Sequence, residues 1–487
     1  MRVTEAGDIR WGTPAARWVI GATVLGSGIA FLDGTIVNVA LKAIGEDLDT
    51  GVSGLQWTVD AYLVTLTALL LFGGALGDRF GRRKMFVVGL VSFTVASVAC
   101  GFAPDATMLA VARGVQGAAG ALLVPGSLAI IGASFHDVDR GRAIGAWSGL
   151  AGISGAVGPF LGGWLIDTFS WRWVFLINVP LAIIAVVITL RHVPESRAST
   201  NQPIDGWGAF LAAVGLTAVC WALIESDNGV GAAQVVSGLI GAGAIVAFLI
   251  VESRSSHPML PLRLFRNRTF SGANATTLAV YAALGAALFM VVLELQIALG
   301  YSALEAGSAL VPVTLLMLFL SSRAGALSQR IGPRLPMTIG PLIIAGGLLL
   351  FTRIAPGESY ASAVLPGAIV FGLGLSLTVA PLTSTVMASV DDSELGVASG
   401  VNNAVARLAS LLAVAVLPAI VGLDITLEPA AFTGTVAVAL RICAALSVIG
   451  AAIAWLTVGE PRKVAVVRPL DLLHPCPDPS AGGQKIA

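Results

Sequence analysis

The chain has 487 residues, 56% of them hydrophobic and only 11% charged, where a soluble globular protein carries about a quarter charged. Its 28 basic and 28 acidic residues cancel, and they sit in clumps between apolar stretches, so neither a water-soluble domain nor a basic nucleic-acid face is built from them. The four cysteines (Cys100, Cys220, Cys443, Cys476) lie too far apart to suggest a disulfide framework or a CxxC metal site.

A helix that crosses a bilayer needs about 20 mostly apolar residues. Fourteen runs meet this: 17–41, 55–77, 85–103, 107–132, 142–165, 173–190, 207–226, 233–251, 270–299, 304–322, 336–354, 361–388, 396–421 and 433–458. The polar start, Met1 to Arg17, leads into the first run without a small-residue cleavage site, so that run is expected to remain as a membrane helix. The tail after Glu460 holds Pro469, Pro475, Pro477 and Pro479 and is expected to be disordered.

Basic residues collect in alternate loops. Arg79, Arg82, Arg83 and Lys84 follow run 2, Arg140 and Arg142 follow run 4, Arg191 and Arg197 follow run 6, and Arg323, Arg330 and Arg334 follow run 10. The opposite loops hold only Lys42, Arg172 and Arg353. Because positively charged loops stay cytoplasmic, this asymmetry predicts a multi-pass protein of the cell inner membrane with both termini inside. One inner loop, with Asp391, Asp392 and Glu394, is acidic and runs against the pattern.

An internal repeat sets the architecture. Gly74-Ala-Leu-Gly-Asp-Arg-Phe-Gly-Arg-Arg83 and Gly325-Ala-Leu-Ser-Gln-Arg-Ile-Gly-Pro-Arg334 agree at six of ten positions, after runs 2 and 10. Each then follows the second helix of a six-helix half, provided runs 7 and 8 are inserted between halves. The expected division is a cytoplasmic N-terminus (1–16), an N-terminal half (17–190), a linker with two extra helices (191–269), a C-terminal half (270–458) and a cytoplasmic tail (459–487). The fold class is all-α and membrane-integral, with 14 transmembrane helices (6 + 2 + 6) in two pseudo-symmetric halves.

Several polar residues stand out against this apolar background. Asp78 sits among cations at the ends of two helices, where a carboxylate can meet helix N-terminal amides or loop arginines such as Arg142, in contacts able to break and re-form. Arg113 lies inside run 4, where a charge is expensive and requires an anion, a carbonyl or a cavity. Counted from the outer ends at about 1.5 Å per residue, Asp33 and Arg113 lie at matching depths of roughly 12 to 14 Å. They are therefore partner candidates, either as a proton-exchanging site or as a structural ion pair locking run 1 to run 4. Glu294, in run 9, either titrates or attracts a cationic substrate, or else snorkels to the outer interface. Run 5 carries a small-residue stripe that includes Gly155, Gly158, Pro159, Gly162 and Gly163, a pattern suited to close helix packing and bending. Asn38, Gln116, Gln296, Asn403 and Arg407 are the polar candidates for a central cavity, with helix-to-helix hydrogen bonding as the alternative for Asn403 and Arg407.

The stretches Leu32–Leu41, Gly74–Lys84, Leu109–Gly117, Gly149–Gly163 and Trp171–Pro180 together resemble the major facilitator superfamily, and within it the fourteen-helix drug:proton antiporters. The resemblance spans nearly the whole chain. It implies alternating access, the proton as coupling ion, Asp33 as the proton-handling residue, and a conformational latch at Gly74, Asp78, Arg79, Gly81, Arg82 and Arg142. It also implies export, through the Gly158-Pro159 motif that antiporters of this superfamily share. The chain departs from the pattern at Lys42, where the family's helix-1 motif usually ends in proline, at Glu294, at Gln329 in the second latch copy, and at Ala409-Ser410-Leu411.

No lysine follows a glycine, so there is no Walker-type phosphate loop and no directly bound ATP is expected. His136, His192, His257 and His474 fall in loops or the tail, which leaves no intramembrane cluster for metal or catalysis. The expectation is a monomeric transporter rather than an enzyme, without cofactor or metal, driven by the proton gradient and partnered by a small molecule, protons and the bilayer. It would export lipophilic drugs or toxic compounds, cations included. The competing readings are a dedicated exporter of one endogenous metabolite or antibiotic, and a non-transporting sensor or envelope-component scaffold on the same fold.

Overall fold

A computed structural model of the chain describes residues 7, 9–197, 205–226, 231–255, 258–391 and 394–459. The predicted tail, His257, Asp392 and residues 1–6 and 8 of the N-terminal segment lie outside the described residues.

Among the described residues, fourteen helices are long and apolar enough to cross a membrane. They are α1 Pro14–Asp47, α2 Val52–Phe80, α3 Arg82–Gly101, α4 Ala106–Ser134, α5 Val138–Thr168, α6 Trp173–His192, α7 Gly206–Ile224, α8 Ala232–Arg254, α9 Arg268–Ile297, α10 Ala303–Ile331, α11 Arg334–Phe351, α12 Tyr360–Ala388, α13 Leu395–Val421 and α14 Pro429–Thr457. Every apolar run coincides with one of them. The tenth helix runs past its expected end at residue 322 to Ile331, and the first continues past residue 41 to Asp47, because Lys42 and Glu46 fit a helix and face each other one turn apart at 3.9 Å.

Local chemistry explains the ends and the breaks. Thr13, Asp105, Asp205, Asn267 and Ser302 accept backbone N–H groups at the starts of α1, α4, α7, α9 and α10. Four helices are broken within their length, each next to a proline: α4 near Pro125, α6 near Pro180, α10 near Pro312, and α12, whose first turn is a π-turn before Pro366.

In the first half, α1 packs on α5 and α6, and α2 and α3 pack on α4; in the second, α9 packs on α13 and α14, and α11 on α12 and α14. Two seams join the halves, α5 against α10 and α2 against α13. The inserted helices α7 and α8 pair with each other, and α7 lies on α2 and α13 at the second seam. Almost all of α8 faces outwards, as expected of a lipid-facing helix with no water to avoid.

Candidate functional site

The proline in α5 ties this helix to α1. Pro159 has no N–H, so the carbonyl of Gly155, four residues earlier, loses its helical donor. The hydroxyl of Thr35 on α1 fills the gap, donating to the Gly155 carbonyl at 2.9 Å. The glycine stripe permits this approach: a Cβ on Gly158 would lie 2.2 Å from Thr35 Oγ1, and one on Gly162 2.4 Å from Ile36 Cγ1. Gly163 faces the other half, where a Cβ would sit 2.4 Å from Leu304 Cα of α10, and Gly307 of α10 packs equally close to the Pro159 carbonyl.

Asp33 and Arg113 meet, as their matching depths suggest. Arg113 Nη1 donates to Asp33 Oδ2 at 2.5 Å and to Gln116 Oε1 at 2.6 Å, and its Nε donates to the Thr58 carbonyl at 2.9 Å. The guanidinium also lies 4.3 Å from the Tyr62 ring centroid. Asp33 Oδ1 accepts from Gln116 Nε2 at 2.8 Å and from Asn178 Nδ2 at 3.3 Å, and Ser97 accepts from both amides. All of these groups are buried. Gln116, expected to line a cavity, is a member of this closed network instead. Asn178 and Ser97 are additions that the sequence pattern does not single out, although Asn178 stands in the Trp171–Pro180 stretch.

Two further buried acids have carboxyl oxygens without a hydrogen-bond partner among the described residues. Both carboxyl oxygens of Asp60, on α2, lack a hydrogen-bond partner, two residues from the Thr58 carbonyl that holds Arg113. The next turn of α2, at Val64, packs with Cys220 and Ile224 of α7 and Leu411 and Ala415 of α13. Asp60 has a signal in the sequence, an acid inside an apolar run, but no motif surrounds it to draw attention there. Glu294 is 1% exposed and its Oε2 has no partner, so the snorkelling alternative does not hold. It sits among Leu293, Leu295 and the other apolar groups of the main core.

Among the described residues, the hydrogen bonds between halves gather at the end opposite the Gly74–Lys84 loop. Lys42 Nζ donates to the Gln296 carbonyl and Gln296 Nε2 to the Val39 carbonyl, each at 3.1 Å. Gln56 Nε2 donates to the Val414 carbonyl at 2.7 Å, and Asp167 accepts the N–H groups of Ala303 and Leu304 at 3.1 and 3.0 Å. Gln296 is therefore part of a seal and not of a cavity wall. Beyond the seal lies a vestibule of about 430 Å³ lined by Lys42, Glu46, Asp49 and Asp424 among others. There, Thr426 donates its N–H and hydroxyl to Asp424, which holds this carboxyl below its usual range.

At the other end the latch differs from expectation. Asp78 pairs with Arg82 on the following turn, at 2.7 Å, and not with Arg142, whose guanidinium lies 4.6 Å from the Trp11 ring centroid. Arg79 lies over the Phe80 ring, and Gly81 takes a positive φ of 112° that joins α2 to α3 in one residue. Glu195, missed in the sequence because no motif surrounds it, caps α3: it accepts the N–H groups of Arg83 and Lys84 at 3.0 and 3.1 Å.

Polar groups of α13 divide by face. Asn402 donates to Asn274 and Thr277 of α9, as helix-to-helix glue. Asn403 turns its amide to the Ser399 carbonyl of its own helix, and Arg407 is half-buried with no ion-pair partner among the described residues. On α1, Asn38 donates to the Gly34 carbonyl beside open space. Among the described residues no group of three or more metal-ligating side chains occurs.

Residues 23–414 match the family described as Major Facilitator Superfamily. The chain is 35% identical over 413 residues to the multidrug resistance protein Stp of Mycobacterium tuberculosis, covering 84% of this chain and 76% of that protein. It is 34% identical to the puromycin resistance protein pur8 of Streptomyces alboniger (83% and 81% covered) and 34% identical to a probable actinorhodin transporter of Streptomyces coelicolor (83% and 72%). Among solved structures, the POT family transporter PepTSo superposes with a TM-score of 0.67 at 13% identity (92% and 98% covered), and a D-xylose-proton symporter with 0.66 at 14% (91% and 98%). The chain is a multi-pass membrane transporter, not an enzyme, and it belongs to the major facilitator superfamily.

Proposed function

We propose that this transporter is a proton-coupled antiporter that exports small lipophilic drugs or toxic compounds across the bacterial inner membrane. The observation that carries the reading is the buried Asp33–Arg113 pair, bound at 2.5 Å within a network contributed by α1, α3, α4 and α6. A proton arriving on Asp33 removes the charge that Arg113 is paired with, and an uncompensated buried guanidinium costs several kcal/mol until the surroundings rearrange. Proton entry is thereby converted into a change of packing. Asp60 and Glu294 add two carboxyl groups in apolar seats, where an anion without a partner is costly and a bound proton removes the cost.

With the Gly74–Lys84 loop and both termini cytoplasmic, the sealed end is the outer one. Alternating access then consists of breaking the seal at Lys42, Gln56 and Asp167 while α2–α3 and the Gly325–Arg334 repeat close on the inner side. The division into halves at 17–190 and 270–458, with the linker at 191–269, follows the same scheme. Relatives named for multidrug resistance, puromycin resistance and actinorhodin transport support export and leave both a broad and a dedicated substrate range within reach.

The test is uptake into inverted vesicles holding the purified protein, with ethidium and 8-anilinonaphthalene-1-sulfonate run in parallel, with and without an imposed pH gradient. Gradient-dependent uptake of either probe that is lost in Asp33→Asn supports the reading. Equal uptake without the gradient overturns proton coupling, and no uptake of either probe overturns export of lipophilic compounds.

A further inference from the structure

Arg407 is the charge that the coupling network leaves over. It lies on α13 at the level where this helix packs on α2 and α9, and its electrostatic neighbours are Tyr62 of α2 and Tyr281 of α9. Neither tyrosine can neutralise it: Tyr62 donates its hydroxyl to the Ala30 carbonyl and gives its ring face to Arg113. Among the described residues no buried acid forms an ion pair with it. Asp33 is held by Arg113, Gln116 and Asn178, Asp60 is fully buried, and Glu294 sits in the main apolar core.

A guanidinium within a membrane bundle is expensive unless it meets an anion or faces water, and half-buried Arg407 has no ion-pair partner among the described residues. Its planar fork of donors fits a carboxylate, sulfonate or phenolate in two-point geometry, and it repels a cation brought to the same place. Tyr281 and Leu408, both half-buried, flank it with aromatic and aliphatic surface.

We propose that the transported molecule is an amphipathic organic acid, an anionic oxygen group on an apolar or aromatic frame, and that Arg407 binds its acidic group. This rests on the export reading for there being a transported molecule, and it replaces the lipophilic cation among the substrate classes considered from sequence.

Tetraphenylborate and tetraphenylphosphonium are nearly the same size and shape and carry opposite charges. Their equilibrium binding to the full-length protein in phosphatidylcholine nanodiscs, corrected for empty nanodiscs and without any gradient, reads the charge preference of the site alone. Wild type is expected to hold the borate at least tenfold more tightly than the phosphonium. Arg407→Gln should lose that preference while its phosphonium binding does not fall, which also reports an intact fold, and Arg407→Lys should keep most of it. Equal affinity for the two ions in wild type, a preference for the phosphonium, binding of neither, or a preference that survives in Arg407→Gln overturns the proposal. Loss of gradient-driven flux with the borate preference intact would instead count against proton coupling, so the two failures are separable.

Discussion

Lys42 and Gln296 bridge the halves of the transporter reciprocally: the ammonium of Lys42 reaches the Gln296 carbonyl, and the Gln296 amide returns to the Val39 carbonyl, both at 3.1 Å. The Gln296 carbonyl is in the last turn of α9, where four carbonyls have no helical donor and the helix end carries partial negative charge. A cation at position 42 therefore caps a helix of the opposite half.

Replacing Lys42 by Met should keep the aliphatic stem and remove the cap. Hydrogen–deuterium exchange of backbone amides at the ends of α1 and α9 is expected to rise several-fold, with amides in α11 and α14 unchanged. Unchanged exchange at both helix ends would show that Lys42 contributes nothing to the seal.

Asp33→Asn leaves Arg113 buried beside a neutral partner. Breaking a buried pair on one side costs about 3–5 kcal/mol, so the melting temperature should drop clearly and coupled uptake should vanish. A variant that melts like wild type would mean that the pair is not carrying a net charge interaction in the folded protein.

Asp60→Asn predicts the opposite pattern. Both oxygens of Asp60 are unpartnered, so an amide of the same shape loses no hydrogen bond, and stability should stay within about 1 kcal/mol of wild type. Proton-driven uptake should nonetheless fall. Large destabilisation with normal coupling would remove Asp60 from the proton path.

Gly163→Val places side-chain atoms where Leu304 Cα already stands. Overpacking costs about 1–3 kcal/mol, and here the strain falls on the α5–α10 seam alone, so labelling of a cysteine introduced beneath the seal should become faster from the outer side. Labelling at the wild-type rate would show that the seam absorbs the extra volume.

Glu195→Ala removes a carboxylate that accepts the N–H groups of Arg83 and Lys84 and lies 3.7 Å from Arg83 Nε. Loss of a helix cap costs about 0.5–2 kcal/mol, and proteolytic cleavage near residues 81–84 should accelerate. Unchanged cleavage would mean that the Arg82 N–H bond to the Ser196 carbonyl is enough to hold this junction.

The fold was legible in the sequence because apolar length, above all else, decides where a membrane helix forms, and every run of about 20 residues became a helix. The Asp33–Arg113 pairing was legible for a related reason: depth in a membrane is counted along the chain, so two charges at one level meet if their helices are neighbours. What sequence could not supply was which way a side chain turns about its helix. Gln116 and Gln296 were both expected in the cavity, yet one rotates into the ion-pair network and the other into the seal. Arg142 was matched with Asp78 on charge alone, whereas Arg82, one turn away on a contiguous path, is a nearer partner, and the indole of Trp11 gives Arg142 an apolar seat.

The Thr35 hydroxyl that completes the broken ladder of α5 has a mechanical consequence. Because the carbonyl freed by Pro159 is satisfied from α1, bending α5 at that point without carrying α1 along would strand a polar group in the apolar interior. The two helices therefore have to travel as one strut. That strut holds the carboxylate of Asp33 near its middle and the Gly163 contact with α10 near its end, so a displacement started at the ion pair reaches the α5–α10 seam through a single stiff body, with no loop in between to absorb it.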